Sequence, residues 1–334
     1  MGTQRMAPRI TVPDDFPAAI SGTEAEARLR STADVAIYGS KAASEKELIE
    51  RVRDSHVILN IRAYTHLSRR VLKACPDLGL ISVWGTGTDN VDLEVAAEVG
   101  VTVTNTPGAN ALSVAEHTIA ILLALVRQIP LLDRGVRSGE WPRLEMVQLR
   151  GKVMGLLGLG AIGAHVARMA RGLGMGVVAW TRHPSPERAE KNGVRFVTRE
   201  ELIEMSDVVS LHLRLNDQTK GFFMREDFDS MKPSAFFINT ARAGLVESGA
   251  LKEAVRSKRI AGAALDVYDT EPLPAEDPIT AQPNVVLTPH NAGMTPEATM
   301  TGLLMAVENI ECYLKGREID PAHVVVQGNR KPHL

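Results

Sequence analysis

Short apolar runs recur along this chain, and polar stretches with helical spacing separate them. Runs at Arg9–Val12, Asp34–Tyr38, Val57–Ile61, Leu80–Val83 and Val101–Val103 read as strands. Segments such as Glu45–Arg53 and Ser68–Lys73 lie between them and read as helices. Strands alternating with helices predict an open parallel sheet covered by helices. A second series starts at Lys152, with strands expected at Val153–Leu157, Gly176–Trp180, Asp207–His212, Ala235–Asn239, Gly262–Asp266 and Asn284–Leu287. Between the two series, Ser113-Val114-Ala115-Glu116 has the form of a capping box ahead of the apolar stretch Ile119–Val126. A long buried helix is expected to begin there and to bridge to a second domain. Pro296–Lys315 reads as one long helix, able to cross back onto the first domain, and the tail after it reads as polar.

Composition bounds the reading. The 334 residues are enough for two cores, and 44% hydrophobic with 23% charged residues suits a soluble globular protein. A net charge of −2 gives no reason to expect nucleic acid or an anionic membrane as partner. Cys75 and Cys312 stand far apart with no metal-ligand spacing, so a reducing compartment and no metal site are expected. Residues Met1–Pro8 carry no apolar run of signal-peptide length, and Thr118–Val126 is too short to span a bilayer. The location expected is cytoplasmic.

The chemistry begins at a glycine-rich turn. Val153–Leu157 runs into Gly158-Leu159-Gly160-Ala161-Ile162-Gly163, then a helical segment, then Gly176–Trp180. Strand, GxGxxG, helix and strand in that order is the pattern of a dinucleotide site. Gly158 allows the tight turn, Gly160 lets backbone N–H groups approach a pyrophosphate, and Gly163 lets the helix pack closely on the sheet. An NAD site normally carries Asp or Glu at the end of the next strand. Here Trp180-Thr181-Arg182 stands instead. Arg182 is suited to grip a ribose 2′-phosphate, so NADP is the preferred cofactor and NAD the alternative.

Three residues lie downstream in separate motifs: Arg242 in Asn239-Thr240-Ala241-Arg242, Glu271 in Asp266-Val267-Tyr268-Asp269-Thr270-Glu271, and His290 in Thr288-Pro289-His290-Asn291-Ala292-Gly293. A guanidinium holds a carboxylate by two prongs, an imidazole exchanges a proton near neutral pH, and a carboxylate beside it favours the charged ring. The set suits reduction of a 2-keto acid or oxidation of a 2-hydroxy acid. Taken alone, each would more often be a solvated charge or a packing residue.

These motifs, with Gly85–Asp92, Asn105–Gly108 and Asn110–His117 in the same order, resemble the D-2-hydroxyacid dehydrogenase family over nearly the whole chain. That family includes phosphoglycerate, glyoxylate/hydroxypyruvate and formate dehydrogenases. The resemblance implies an α/β fold of two Rossmann-like domains. Residues 1–106 plus 296–334 would form a flavodoxin-like substrate domain, and 107–295 a doubly wound dinucleotide-binding domain, with substrate in the cleft between them. It implies His290 as general acid/base, Glu271 as its partner, and Arg242 as the anchor of the substrate carboxylate. It places Asp266 near the nicotinamide, with Thr240, Ala241, Leu213 and Gly293 lining the cofactor. It gives substrate contacts to Ala63, Tyr64, Thr86, Gly87 and Asn110. A homodimer is implied as well, Gly139–Pro142 resembling part of the family's dimer arm.

The chain departs from the family pattern in three places. Arg214 stands where proline is usual, Asn291 where an aliphatic residue is common, and Tyr64 is bulky for a substrate loop. Among subtypes, a glyoxylate/hydroxypyruvate reductase is the expectation. A phosphoglycerate dehydrogenase is an alternative, and formate dehydrogenases usually carry Gln where Glu271 stands. The alternative from another class is a nucleotide-sensing protein like the corepressors that share this fold.

Overall fold

The computed structural model describes residues 7–62 and 64–331. The chain divides into two compact units, one from Met1–Asn110 with Thr295–Leu334, the other from Ala111–Met294. The thirteen strands of the described residues, in chain order, are β1 Arg9–Val12, β2 Asp34–Ile37, β3 Val57–Asn60, β4 Leu80–Val83, β5 Thr102–Thr104, β6 Val153–Leu157, β7 Gly176–Trp180, β8 Arg195–Phe196, β9 Val208–Leu211, β10 Phe236–Asn239, β11 Gly262–Leu265, β12 Val285–Leu287 and β13 Val324–Val326.

In the first unit the order is β13-β5-β4-β3-β1-β2. Every pairing is parallel except that of β13 with β5. Without β13, this is the flavodoxin-like doubly wound order. Apolar runs such as Val57-Ile58-Leu59 are buried throughout, as a parallel sheet covered on both faces requires. The helix Pro296–Leu314 covers one face. Its Leu303, Ala306, Val307 and Ile310 are buried with Ile10, Val12, Leu59 and Leu80, each aliphatic side chain of Val size or larger contributing about 1.5–3 kcal/mol. Thr295 caps it by accepting from the Ala298 N–H, and Pro296 follows at the first helical position. At Gly302 a Cβ would come within 2.3 Å of Trp84 Nε1, so glycine lets this helix lie close to the end of β4.

Two expectations are corrected here. The tail is not merely polar, because Val324–Val326 adds β13 antiparallel to β5. Three half-buried valines suffice for an edge strand, yet they are diluted by the polar residues around them. The bridging helix begins at Ala111, so Ser113 lies inside it and is no cap. A turn at residues 107–110, with Gly108 at φ +80°, already directs the chain into helical geometry before Ser113 is reached.

In the second unit the order is β12-β11-β10-β9-β6-β7-β8, all parallel. One face packs on the helices Ala111–Val126 and Ala161–Gly172, through Ile119, Leu122, Val166 and Ala170. The other face buries Leu202, Ile203 and the mutually packed rings of Phe223, Phe228 and Phe237. Helices on both faces make the sheet doubly wound. The strand order reverses between β6 and β9, and in such sheets ligands bind at the carboxyl ends of the strands beside that reversal.

Candidate active site

The glycine turn follows β6 directly. Gly158 has φ +107°, and a Cβ there would lie 2.6 Å from the His212 carbonyl oxygen. A Cβ on Gly163 would lie 2.4 Å from the Gly158 carbonyl oxygen. Both positions therefore require glycine, one for its φ and contact, the other for close packing. Gly160 differs, because nothing lies within 4 Å of a Cβ placed there. It stands at the N-cap of Ala161–Gly172 with no side-chain cap. The first-turn N–H groups of Ala161, Ile162 and Gly163 have no acceptor inside the helix, and together with the helix dipole they suit an anion such as a pyrophosphate. Arg188 steadies the turn by donating to the Leu159 carbonyl at 2.7 Å and to the His183 carbonyl at 2.7 Å.

After β7 come Thr181, half-buried, and Arg182, exposed. Arg182 donates to the side-chain and main-chain oxygens of Gln218. Leu213, beyond the end of β9, packs half-buried against the core that includes Leu157 and Leu211. Its neighbour His212 hydrogen-bonds Ser210 at 3.0 Å, and desolvation pushes its pKa down to about 4.

The loops after β10, β11 and β12 bring the catalytic candidates together. Asn239 clamps the first, its side chain accepting from the Ala241 N–H at 3.0 Å and donating to the Arg242 carbonyl at 2.9 Å. Thr240 and Thr118 share a hydroxyl hydrogen bond of 2.9 Å. Arg242 donates from one end of its guanidinium to the Ala241 carbonyl at 2.8 Å.

His290 Nδ1 lies 2.7 Å from Glu271 Oε2. The other carboxylate oxygen of Glu271 accepts the Tyr268 N–H at 3.0 Å. Burial alone would raise the pKa of Glu271, but the His290 hydrogen bond, the Tyr268 N–H and the charges of His290 and Arg242 outweigh it and hold the carboxyl below its ordinary value. An ionised Glu271 keeps the proton on Nδ1, so Nε2 is the ring nitrogen that faces other chemistry.

His290 has φ +53°, an uncommon conformation for a residue with a side chain. Asp266, only 1% exposed, supports that turn. Its Oδ1 accepts from the Thr288 hydroxyl at 2.6 Å and the Asn291 N–H at 3.1 Å, and its Oδ2 from the Ala292 N–H at 2.9 Å. His117 Nε2 reaches the Thr288 hydroxyl at 3.0 Å. Tyr268 donates its hydroxyl to the Thr288 carbonyl at 2.8 Å, and burial pushes that phenol up to about 12. Gly293 lies two residues beyond Asn291 in the same loop.

The remaining candidates belong to the first unit. Tyr64 follows β3, and its hydroxyl donates to the Phe16 carbonyl and to Asp14 Oδ1 at 3.3 Å. Thr65 donates to the other oxygen of Asp14 at 3.1 Å. The bulk of Tyr64 is thus tied back towards the end of β1. Thr86 and Gly87 follow β4, the Thr86 carbonyl accepting from Asn105 Nδ2 at 2.8 Å. Asn110 ends the turn at residues 107–110. Ala63 lies outside the described residues.

In the second unit, the dinucleotide turn and the candidates Arg182, Leu213, Arg242, Glu271 and His290 all follow the carboxyl ends of parallel strands. The family description D-isomer specific 2-hydroxyacid dehydrogenase, NAD binding domain, matches residues 119–292, which contain all of them. The chain belongs to the D-isomer specific 2-hydroxyacid dehydrogenase family.

Among relatives within this dehydrogenase family, D-3-phosphoglycerate dehydrogenase of Archaeoglobus fulgidus is 39% identical over 82% of this chain and 52% of its own length. Glyoxylate reductase of Aeropyrum pernix is 37% identical over 81% of this chain and 83% of its own. The chain thus spans about half the length of this phosphoglycerate dehydrogenase and most of the reductase. A solved acyclic imino acid reductase in complex with NADPH and D-Arg matches with a TM-score of 0.85 and 28% identity, over 95% of this chain and 100% of that one.

Several supporting residues were not singled out from the sequence: Arg188 and Gln218 were not named, Thr118 only bounded an apolar stretch, and His117, Tyr268 and Thr288 were quoted only within motifs. Their side chains bond across loops far apart in the chain, so no local pattern marks them. Among the described residues, no group of His, Cys, Asp and Glu is placed to hold a metal ion, and no helix is long and apolar enough to cross a membrane.

Proposed function

We propose that this chain reduces small 2-keto acids to D-2-hydroxy acids, and catalyses the reverse oxidation, with a bound nicotinamide dinucleotide. The observation that carries this reading is the 2.7 Å pairing of His290 Nδ1 with Glu271, in loops on the same strand-end edge as the glycine turn. When bound, the nicotinamide supplies the hydride that the carbonyl carbon receives. Arg242 holds the substrate carboxylate and draws charge from the carbonyl oxygen as it becomes an alkoxide. Protonated His290 gives its Nε2 proton to that oxygen, while Glu271 steadies the imidazolium. In the oxidising direction neutral His290 takes the hydroxyl proton. Asp266, Thr240, Ala241, Leu213 and Gly293 line the cofactor in this reading. Ala63, Tyr64, Thr86, Gly87 and Asn110 of the first unit meet the substrate.

NADP is the preferred cofactor. No carboxylate follows β7 to receive a ribose 2′-hydroxyl, and Arg182 stands there instead. A glyoxylate/hydroxypyruvate type of substrate fits best, since such reductases are the relatives this chain covers for most of their length. Self-association as a dimer is supported by Ile129, Val136, Trp141, Leu144 and Met146, large apolar side chains exposed within one segment, with Trp141 74% exposed. A reducing, cytoplasmic setting suits two free cysteines, one of them buried.

A crossed panel of 2-keto acids against NADH and NADPH, read as kcat/KM, tests the proposal. The best signal is expected with glyoxylate or hydroxypyruvate and NADPH. No turnover on the whole panel, with cofactor binding intact, would replace the enzyme by a nucleotide sensor.

A further inference from the structure

The strands β7 and β9 flank β6 on either side, so the loops that leave them stand on opposite sides of the glycine turn. A guanidinium joins those loops. Arg182, two residues past β7, donates one guanidinium nitrogen to the side-chain oxygen of Gln218 and another to its carbonyl. The loop bearing Gln218 is itself braced. Asn216 Oδ1 accepts the Gln218 N–H at 2.9 Å, and the buried Thr219 hydroxyl donates to the Arg214 carbonyl at 2.6 Å. Trp180, the last residue of β7, packs on Phe222 with ring centroids 5.1 Å apart and ties the same two loops below.

The chemistry of the partner matters more than its position. An amide fixes the guanidinium but carries no charge, so the cation keeps its full attraction for an anion. A carboxylate in the same place would form a two-pronged pair with Arg182, repel a dianionic phosphate, and accept a ribose hydroxyl instead. Arg188, which donates to the His183 and Leu159 carbonyls, joins the Arg182 loop to the glycine turn.

We infer that Gln218 is a specificity-determining positioning residue: as an uncharged clamp on Arg182, it holds the guanidinium ready for the 2′-phosphate of NADP and thereby sets the choice between the two nicotinamide cofactors. This rests on the NADP reading above. Gln218 acts through Arg182, so its effect is read in the ratio of the two cofactor affinities.

The test is calorimetric titration of the full chain with NADPH and with NADH, without substrate. The parent is expected to bind NADPH more tightly. Gln218→Glu should lower the NADPH-to-NADH affinity ratio by about tenfold or more, chiefly by weakening NADPH. Gln218→Ala, which removes the clamp without adding charge, should lower the ratio less and leave NADH binding unchanged. A parent with no preference for NADPH would overturn the cofactor reading and this inference with it. A parent that prefers NADPH, with a Gln218→Glu variant of unchanged ratio, would overturn the role of Gln218 alone.

Discussion

The ring of His290 meets Glu271 at 2.7 Å through Nδ1, which leaves Nε2 as the nitrogen for proton exchange. His290→Gln should therefore lower kcat by roughly 10²–10⁴-fold, the usual worth of a positioned acid/base. Cofactor affinity should stay at the parent value. Stopped-flow turnover beside calorimetric binding separates the two. A His290→Gln enzyme turning over like the parent would remove His290 from the proton step. Glu271→Gln should cost less, because the ring remains while its orienting charge is lost.

Arg242 presents a planar fork, which a lysine cannot reproduce. Arg242→Ala should raise the keto-acid KM and lower kcat together, a loss of about 10²-fold or more in kcat/KM. Arg242→Lys should recover only part of it. Steady-state kinetics with glyoxylate checks this, and a change in the NADPH KM alone would contradict the assignment.

The glycines of the turn should respond differently to alanine. Gly158→Ala forces a side chain into φ +107° and against the His212 carbonyl at 2.6 Å, so it should destabilise by at least ~1–3 kcal/mol. Gly160→Ala meets nothing within 4 Å in the protein, so stability should hold while the methyl group occupies space needed for close approach of the dinucleotide. Thermal melts with and without NADPH distinguish them. Equal melting losses in both variants would refute the contrast.

His212 gives a pH dependence with a definite sign. Its native pKa is about 4 and its ordinary value 6.5, so the unfolded chain takes up the proton first as pH falls. Stability from the neutral ring is complete above pH 6.5, declines as pH falls towards 4, and does not change further below. The loss from this one residue is at most about 3–4 kcal/mol. His212→Gln should show a flatter decline of Tm between pH 6.5 and 4 than the parent. Parallel curves would mean that His212 is not the group responsible.

Much of the fold was legible because buried parallel strands are written as apolar runs: β1, β3, β4, β6, β7 and β10 stand where those runs stand. β8 has two residues, Arg195 and Phe196, too few to show any period. β13 was hidden by its polar surroundings, and the start of the helix at Ala111 was set by the turn before it. The catalytic candidates were legible as residue types in motifs. Their supports were not. Gln218 lies 36 residues from Arg182, Arg188 29 residues from Leu159, and Thr288 171 residues from His117. Such bonds are made by topology, and a linear pattern carries no trace of them.

The first unit is completed by β13 and by the helix Pro296–Leu314, both from the far end of the chain. During synthesis, the stretch through Asn110 emerges before Ala111–Met294 but lacks the cover for one sheet face and the partner for β5. The Ala111–Met294 stretch can reach its full complement of strands earlier. Order of synthesis and order of completion are therefore inverted between the two units, and the edge of β5 stays open until Val324–Val326 is made.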